Sequence, residues 1–193
     1  HLASFMGRFN YTYADRYILT VNARTDASSK FGSNHKWGFF PSVSAAWAVS
    51  EEEFMKRIPL VDNLKLRVGY GLAGNQNGID SYTTLGLVRP NGVVPVGNSA
   101  VVTLGEMQNI NPDLKWEVKH TFNAGADLGM FGNRLLLSVN YYNSKTTDML
   151  YLYNVSVPPF TYNTLLANIG SMRNSGTEIA IGITPLKTPD MEL

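Results

Sequence analysis

The sequence predicts an all-β fold, a segment of an antiparallel transmembrane β-barrel with about seven strands. Three observations carry that expectation. Strict alternation of apolar and polar side chains recurs about seven times, in stretches longer than the usual strand of about 5 to 6 residues. Helical spacing is almost absent. Tight turns and long loops alternate along the chain, so the tight turns gather at one end of the strands and the long loops at the other.

Taken in order, Phe9, Tyr11 and Tyr13 oppose Arg8, Asn10 and Thr12 in the first strand. Tyr17, Leu19, Val21 and Ala23 then oppose Thr20, Asn22, Arg24 and Asp26. Val43, Ala45, Trp47 and Val49 alternate with serines and alanines, and Leu64, Leu66, Val68, Tyr70 and Leu72 with Lys65, Arg67, Gly69, Gly71 and Ala73. The stretch from Trp116 to Met130 sets Val118, Phe122, Ala124, Ala126 and Leu128 against Glu117, Lys119, Thr121, Asn123 and Asp127. Leu135, Leu137, Val139 and Tyr141 oppose Ser138, Asn140, Tyr142 and Ser144, and Ile179, Ile181 and Ile183 oppose Glu178, Ala180 and Gly182. Residues 14–16 and 132–134 read as tight turns, and 27–36, 75–114 and 150–173 as long loops rich in Gly, Asn, Pro and Ser. The remaining link, 51–63, is expected to hold one helical turn, because Ser50 with Glu53 forms a capping box and Pro59 ends it.

Composition narrows the possibilities. Of 193 residues, 44% are hydrophobic and 16% charged, with 16 Lys+Arg against 15 Asp+Glu. That excludes a disordered tail and offers no basic surface to nucleic acid. The absence of cysteine rules out disulfides, thiolate metal sites and a cysteine nucleophile. No stretch approaches the ~18 apolar residues of a helical membrane span. The first residues, His1 to Met6, have neither a start methionine nor the basic and apolar regions of a signal peptide, so the chain reads as the interior of a longer one.

Alternating antiparallel strands build either a soluble sandwich or a membrane barrel. The barrel fits better, since its strands need about 9 to 11 residues, its loops are short on one side and long on the other, and aromatic residues ring both interfaces. Tyr13 and Tyr17 flank a short turn; Trp37, Phe39, Phe40 and Trp116 flank long loops, where the second girdle is expected. Seven strands leave two open edges, each unpaired backbone group costing several kcal/mol in hydrocarbon, so one arc of a larger barrel is expected.

Several ordered motifs then resemble the C-terminal barrel region of the SusC/RagA family of TonB-linked outer-membrane transporters, over nearly the whole chain. They include Gly7-Arg8-Phe9-Asn10-Tyr11 with Asp15-Arg16-Tyr17, Ser28-Ser29-Lys30-Phe31-Gly32, and Trp37-Gly38-Phe39-Phe40-Pro41-Ser42. Leu64-Lys65-Leu66-Arg67, Gly74-Asn75-Gln76, Asn111-Pro112-Asp113-Leu114-Lys115-Trp116-Glu117, Lys145-Thr146-Thr147-Asp148 and Asn168-Ile169-Gly170 continue the series. Ala27 and Thr25 depart from the family's usual glycine and arginine. The resemblance implies that residues 1–193 are part of a TonB-dependent receptor β-barrel domain, with the plug domain and the remaining strands outside this chain. It also implies uptake of oligosaccharides (glycans) or peptides through a plugged barrel of roughly 22 strands. A SusD-like surface lipoprotein would lid the mouth, the TonB complex would act through the plug, and the setting would be the Gram-negative outer membrane with its lipid.

The candidate residues follow. Arg24, Asp26, Lys65, Arg67, Glu117, Lys119, Asp127 and Glu178 share the polar, lumen-facing parity and are expected to pair across the inner wall or with the plug. Tyr151, Tyr153, Phe160 and Tyr162 are loop aromatics that either stack on sugar rings at the mouth or else pack their own loop or meet the lid. The 75–114 loop is the other candidate for lid or substrate contact. Gly69 to Gly74 fits GxGxxG but sits in a strand with no helix after it, so no dinucleotide site is expected. His1, His35 and His120 lack ligand spacing, so no metal is expected, and no cofactor either. Without a nucleophile motif or an isolated carboxylate pair, an enzyme is not expected. A soluble β-rich carbohydrate-binding domain is the alternative reading.

Overall fold

The computed structural model describes residues 1–32, 34–185, 187–188 and 191–192. Each alternating stretch falls on a strand, with only the ends Val49, in the turn after the third strand, and Trp116, just before the stretch that starts at Glu117, outside the paired residues. In chain order they are β1 (Leu2–Tyr13), β2 (Tyr17–Ser28), β3 (Trp37–Ala48), β4 (Val61–Asn75), β5 (Val88–Val96), β6 (Ser99–Glu106), β7 (Glu117–Met130), β8 (Leu135–Thr147), β9 (Leu150–Asn154), β10 (Thr164–Asn168) and β11 (Ser171–Ile183). The two-residue β12 (Lys187–Thr188) and β13 (Met191–Glu192) pair with each other. Seven of these strands form one sheet in the order β1-β2-β3-β4-β7-β8-β11, every neighbour antiparallel. Among the described residues its outer edges, β1 and β11, have no further partner, so the sheet is an open arc.

The tight turns use left-handed backbone, whose twist matches that of the strands. Ala14 (φ 51°) and Asp15 (φ 53°) close β1 onto β2, with the Arg16 amide donating to the Tyr13 carbonyl at 3.1 Å. Phe131, Gly132 and Asn133 close β7 onto β8 in the same way.

The third short link differs from expectation. It opens with a 3-10 turn, Val49–Glu51, whose N-cap Ala48 provides no side-chain cap, so the Ser50–Glu53 capping box does not form. Neighbouring Glu52 instead turns its carboxylate back to the strands, accepting from the Tyr17 hydroxyl at 2.7 Å, Trp47 Nε1 at 3.2 Å and Arg16 Nη1 at 3.0 Å. Tyr17 stacks between Tyr13 and Trp47, at 6.4 and 6.2 Å, completing an aromatic row at the short-turn end.

The long spans are more ordered than loops. The 75–114 span contains the β5–β6 hairpin and the 150–173 span the β9–β10 hairpin. Pro90, Pro95 and a bulge at Gly92 broke the strand signal of the first, and strands of only five residues hid the second.

The hydrophobic core also lies at the long-loop end. β3 and β4 pair only from Ala48↔Lys65 to Ser42↔Gly71, while β3 continues along β2 to Trp37 and β4 along β7 to Asn75. The wedge between them is filled by Phe40 and Trp116, which pack with the loop residues Phe31, Ile79 and Leu114 and against Leu72. Trp116 lies 4.8 Å from Phe31 and 5.5 Å from Phe40. Phe40 and Trp116 are therefore 5% and 6% exposed, core residues and not members of the girdle expected of them, whereas Trp37 and Phe39 are 61% and 63% exposed. Parity explains Phe40, which shares the face of Ser42 and Ser44 while Trp37 and Phe39 share the other.

Candidate functional site: the polar wall and its mouth

Register carries the polar face across all seven strands of the arc. One row runs Arg8, Asn22, Ser42, Gly71, Thr121, Ser144, Asn174; the next runs Asn10, Thr20, Ser44, Gly69, Asn123, Tyr142, Gly176. Neither contains an aliphatic side chain. On the opposite face the corresponding positions of β1 to β4 are Phe9, Val21, Val43 and Tyr70. The polar groups are linked laterally: Arg8 Nε donates to Asn22 Oδ1 at 2.7 Å, Asn22 Nδ2 to Ser42 Oγ at 3.0 Å, and Thr20 Oγ1 to Asn10 Oδ1 at 2.9 Å. Gly71 keeps the rows in contact, since a Cβ there would come within 2.8 Å of the Ser42 Cβ.

The eight expected charged residues all fall on this face, but they do different things. Arg67 makes a two-pronged pair with Asp127, Nε to Oδ2 at 2.8 Å and Nη2 to Oδ1 at 2.9 Å, and also donates to Asn140 Oδ1 at 2.9 Å. Ser138 donates to the same carboxylate at 2.8 Å, and Lys65 faces Asp127 in register. Gly125 lets the guanidinium cross, because a Cβ there would overlap Asn140 Oδ1 and lie 3.2 Å from Arg67 Nη2. Arg24 and the buried Asp26 pair at 2.9 Å, on the rim of a cavity of about 500 Å³ that Arg8, Asn22, Phe40 and Ser42 also line. Glu117 pairs with no cation among the described residues; it accepts from Asn75 Nδ2 at 3.1 Å and from the Leu150 amide at 3.3 Å, tying two long spans to the wall. Among the described residues no ion pair includes Lys119 or Glu178.

At the mouth, asparagines fix the loops to one another. Asn109 donates to the Tyr162 and Thr164 carbonyls at 2.6 and 2.8 Å and accepts from the Thr161 and Tyr162 amides at 3.1 Å. Asn111 reaches the Leu166 carbonyl at 3.0 Å, and Asn168 donates to the carbonyls of Lys115 and Asp148. Sequence reasoning quoted Asn111 and Asn168 within motifs without assigning this role, and isolated asparagines in loops gave no periodic signal. Among the described residues no ring contact joins any two of the four loop aromatics. Tyr162 packs its loop, its hydroxyl donating to the Glu106 carbonyl, and Tyr153 is half-buried; Tyr151 is 64% exposed.

At the other end, the Glu52 carboxyl is held below its ordinary range, first by the Tyr17 hydroxyl, then by the Trp47 indole and the Arg16 guanidinium. Among the described residues no group of three His, Cys, Asp or Glu is placed to hold a metal ion. His120 shares Nδ1 with the Tyr70 hydroxyl at 2.9 Å, and the Gly69 to Gly74 stretch lies inside β4.

A seven-stranded antiparallel wall with one polar and one apolar face, short turns at one end and folded loops at the other, is an arc of a membrane-spanning β-barrel. The chain belongs to the TonB dependent receptor-like β-barrel family, whose model matches residues 2–187. It is 41% identical to TonB-dependent receptor P26 of Formosa agariphila, over 97% of this chain and 19% of that protein. It is 36% identical to TonB-dependent receptor SusC of Bacteroides thetaiotaomicron, over 98% of this chain and 19% of SusC. Among solved structures, the RagAB peptide importer in its open-open state matches with a TM-score of 0.86 at 31% identity, covering 99% of this chain and 20% of that one. The siderophore receptor PirA of Pseudomonas aeruginosa, at 15% identity and a TM-score of 0.61, shares the fold. The chain thus spans about a fifth of the length of the curated relatives it matches. Receptors of this family are outer-membrane β-barrels of Gram-negative bacteria, and that membrane is where this arc belongs.

Proposed function

We propose that residues 1–193 form part of the wall of a TonB-dependent importer that carries oligosaccharides or peptides across the outer membrane. The apolar face meets lipid, and the polar rows face the lumen around a plug domain contributed by the rest of the protein. The observation that carries this reading is the match to the RagAB importer over 99% of the chain. The wall chemistry fits it. A surface of amides and hydroxyls offers many modest hydrogen bonds to sugar hydroxyls or peptide groups without holding any one of them tightly, which suits passage better than retention. The chain is not an enzyme in this reading; its carboxylates hold arginines, amides and loops. The energy for import comes through the TonB complex and the plug, outside this arc.

A SusD-like lipoprotein is the proposed partner at the mouth. The β5–β6 hairpin exposes Val93, Val96, Val102 and Leu104, an apolar surface of the kind that marks a protein contact. Tyr151 is the loop aromatic best placed to meet lid or cargo. The test is growth of the source strain on single oligosaccharides or peptides with the receptor deleted and then restored. The reading expects loss of growth on one cargo class, recovered by the wild-type receptor; unchanged growth on every cargo would contradict it.

A further inference from the structure

We propose that His120, Lys145 and Arg173 form an outward-facing cradle for the phosphate of an outer-leaflet lipid. The proposal rests on the reading of the apolar face as lipid-facing. The three residues are register partners on adjacent strands, His120↔Lys145↔Arg173, and continue the face of Leu72 on β4. Strands lie about 4.8 Å apart, so the three side chains start within about 10 Å of one another.

Their height places them at a headgroup. On β8 the same face begins with Leu135, Leu137 and Val139 at the short-turn end. Ten positions separate Leu135 from Lys145; at ~3.4 Å per residue and a tilt of ~40° they rise about 26 Å, the height of the apolar band of a membrane barrel. Lys145 and its neighbours therefore sit at the boundary on the long-loop side, the outer surface.

Lys145 and Arg173, two cations directly opposite one another on adjacent strands, repel unless an anion lies between them. Among the described residues none of the three belongs to an ion pair. Their remaining bonds orient them for a ligand. Among the described residues Arg173 donates through Nε alone, to Asn143 Oδ1 at 3.0 Å, which leaves the two Nη groups as a fork. The Tyr70 hydroxyl lies 2.9 Å from His120 Nδ1, and when it donates there the ring proton stays on Nε2. On the same face of β7 the next residue below His120 is Phe122, between Tyr70 and Asn143; beyond it Ala124 and Ala126 run between Leu66 and Val68 of β4 and Val139 and Tyr141 of β8, a trough about one strand wide that fits an acyl chain. A cationic head over an apolar trough selects a phosphorylated lipid over a free anion.

The test uses the full-length receptor in detergent, with native mass spectrometry after incubation with monophosphoryl lipid A or with the same lipid stripped of its phosphate. The wild type is expected to retain the phosphorylated lipid about tenfold better, and K145Q/R173Q to lose that preference while still migrating as a heat-modifiable folded barrel. The charge-conserving K145R/R173K keeps the preference. Equal retention of the two lipids, a preference unchanged in K145Q/R173Q, or loss of it in folded K145R/R173K would each overturn the cradle. Displacement of the lipid by millimolar inorganic phosphate would show free phosphate to be the occupant and overturn it equally. Cargo-dependent growth is expected to survive in K145Q/R173Q, so failure of the import reading and failure of the cradle are read separately.

Discussion

The strand wall and the loop mouth of this molecule are stabilised in opposite ways. Every residue of β1 is exposed, and the wall between the girdles buries almost nothing inside the chain; it holds together through backbone ladders, lateral polar bonds and its lipid. The mouth holds the only cluster of buried hydrophobic residues among those described, Phe31, Phe40, Ile79, Leu114 and Trp116, reinforced by Lys30 Nζ on the Ile79 carbonyl at 2.7 Å and Trp116 Nε1 on the Lys36 carbonyl at 3.2 Å. Exposure therefore means different things in the two regions. In the wall an exposed leucine or valine faces the solvent it was built for, whereas at the mouth burial fixes where the recognition loops stand. Loops anchored this way present a rigid rim.

The contrast is sharpened first at Leu114, which is fully buried. Leu114→Ala should cost the mouth about 2 to 5 kcal/mol, so limited trypsin digestion of intact cells should cut the long loops faster while the barrel still migrates as folded. In the wall, Val68→Arg on the apolar face should cost about 2 to 4 kcal/mol near the midplane and lower the amount of assembled receptor in the outer membrane. Arg67→Ser, one residue away on the polar face, removes a water-exposed ion pair and should leave assembly intact, to be checked by heat-modifiable mobility of both variants. Smaller still is the turn at Ala14, where an L-residue adopts φ 51°; Ala14→Gly should raise the unfolding midpoint, by about 1 kcal/mol in free energy.

The pH response distinguishes the short-turn end. The Glu52 carboxyl titrates below its ordinary value of 4.5, so its contribution is fully present above that value and is lost as the pH falls through the lower folded value. Thermal unfolding of the wild-type receptor followed below pH 4.5 should therefore show an acid-side loss that Glu52→Gln makes shallower.

Most of the wall was legible in the sequence, because a period of two is imposed wherever a strand separates two solvents. The seven alternating stretches fall on strands and the two tight turns stand, and by register Arg24, Asp26, Lys65, Arg67, Glu117, Lys119, Asp127 and Glu178 share one face of the sheet. What escaped was set by tertiary contacts. Glu52 outcompetes the Ser50–Glu53 box because the polar ends of Tyr17 and Trp47 lie within its reach, a fact that depends on β2 and β3 being adjacent. Phe40 and Trp116 looked like interfacial aromatics by position along the chain, and only the parting of β3 from β4 draws them into a core. The asparagine ties of the mouth and the cluster at His120, Lys145 and Arg173 join residues far apart in sequence, which no local window brings together.

The central claim is that the two faces of the arc meet two different solvents. This chain contributes no cysteine, so once any cysteine elsewhere in the full-length receptor is replaced, single cysteines can be placed at positions from 64 to 73 and spin-labelled in the membrane. The account predicts that collision with lipid-soluble oxygen peaks at Leu64→Cys, Leu66→Cys, Val68→Cys and Tyr70→Cys, and that collision with a water-soluble nickel chelate peaks at Lys65→Cys, Arg67→Cys, Gly69→Cys and Ala73→Cys. Equal access of the nickel chelate to both sets would contradict it.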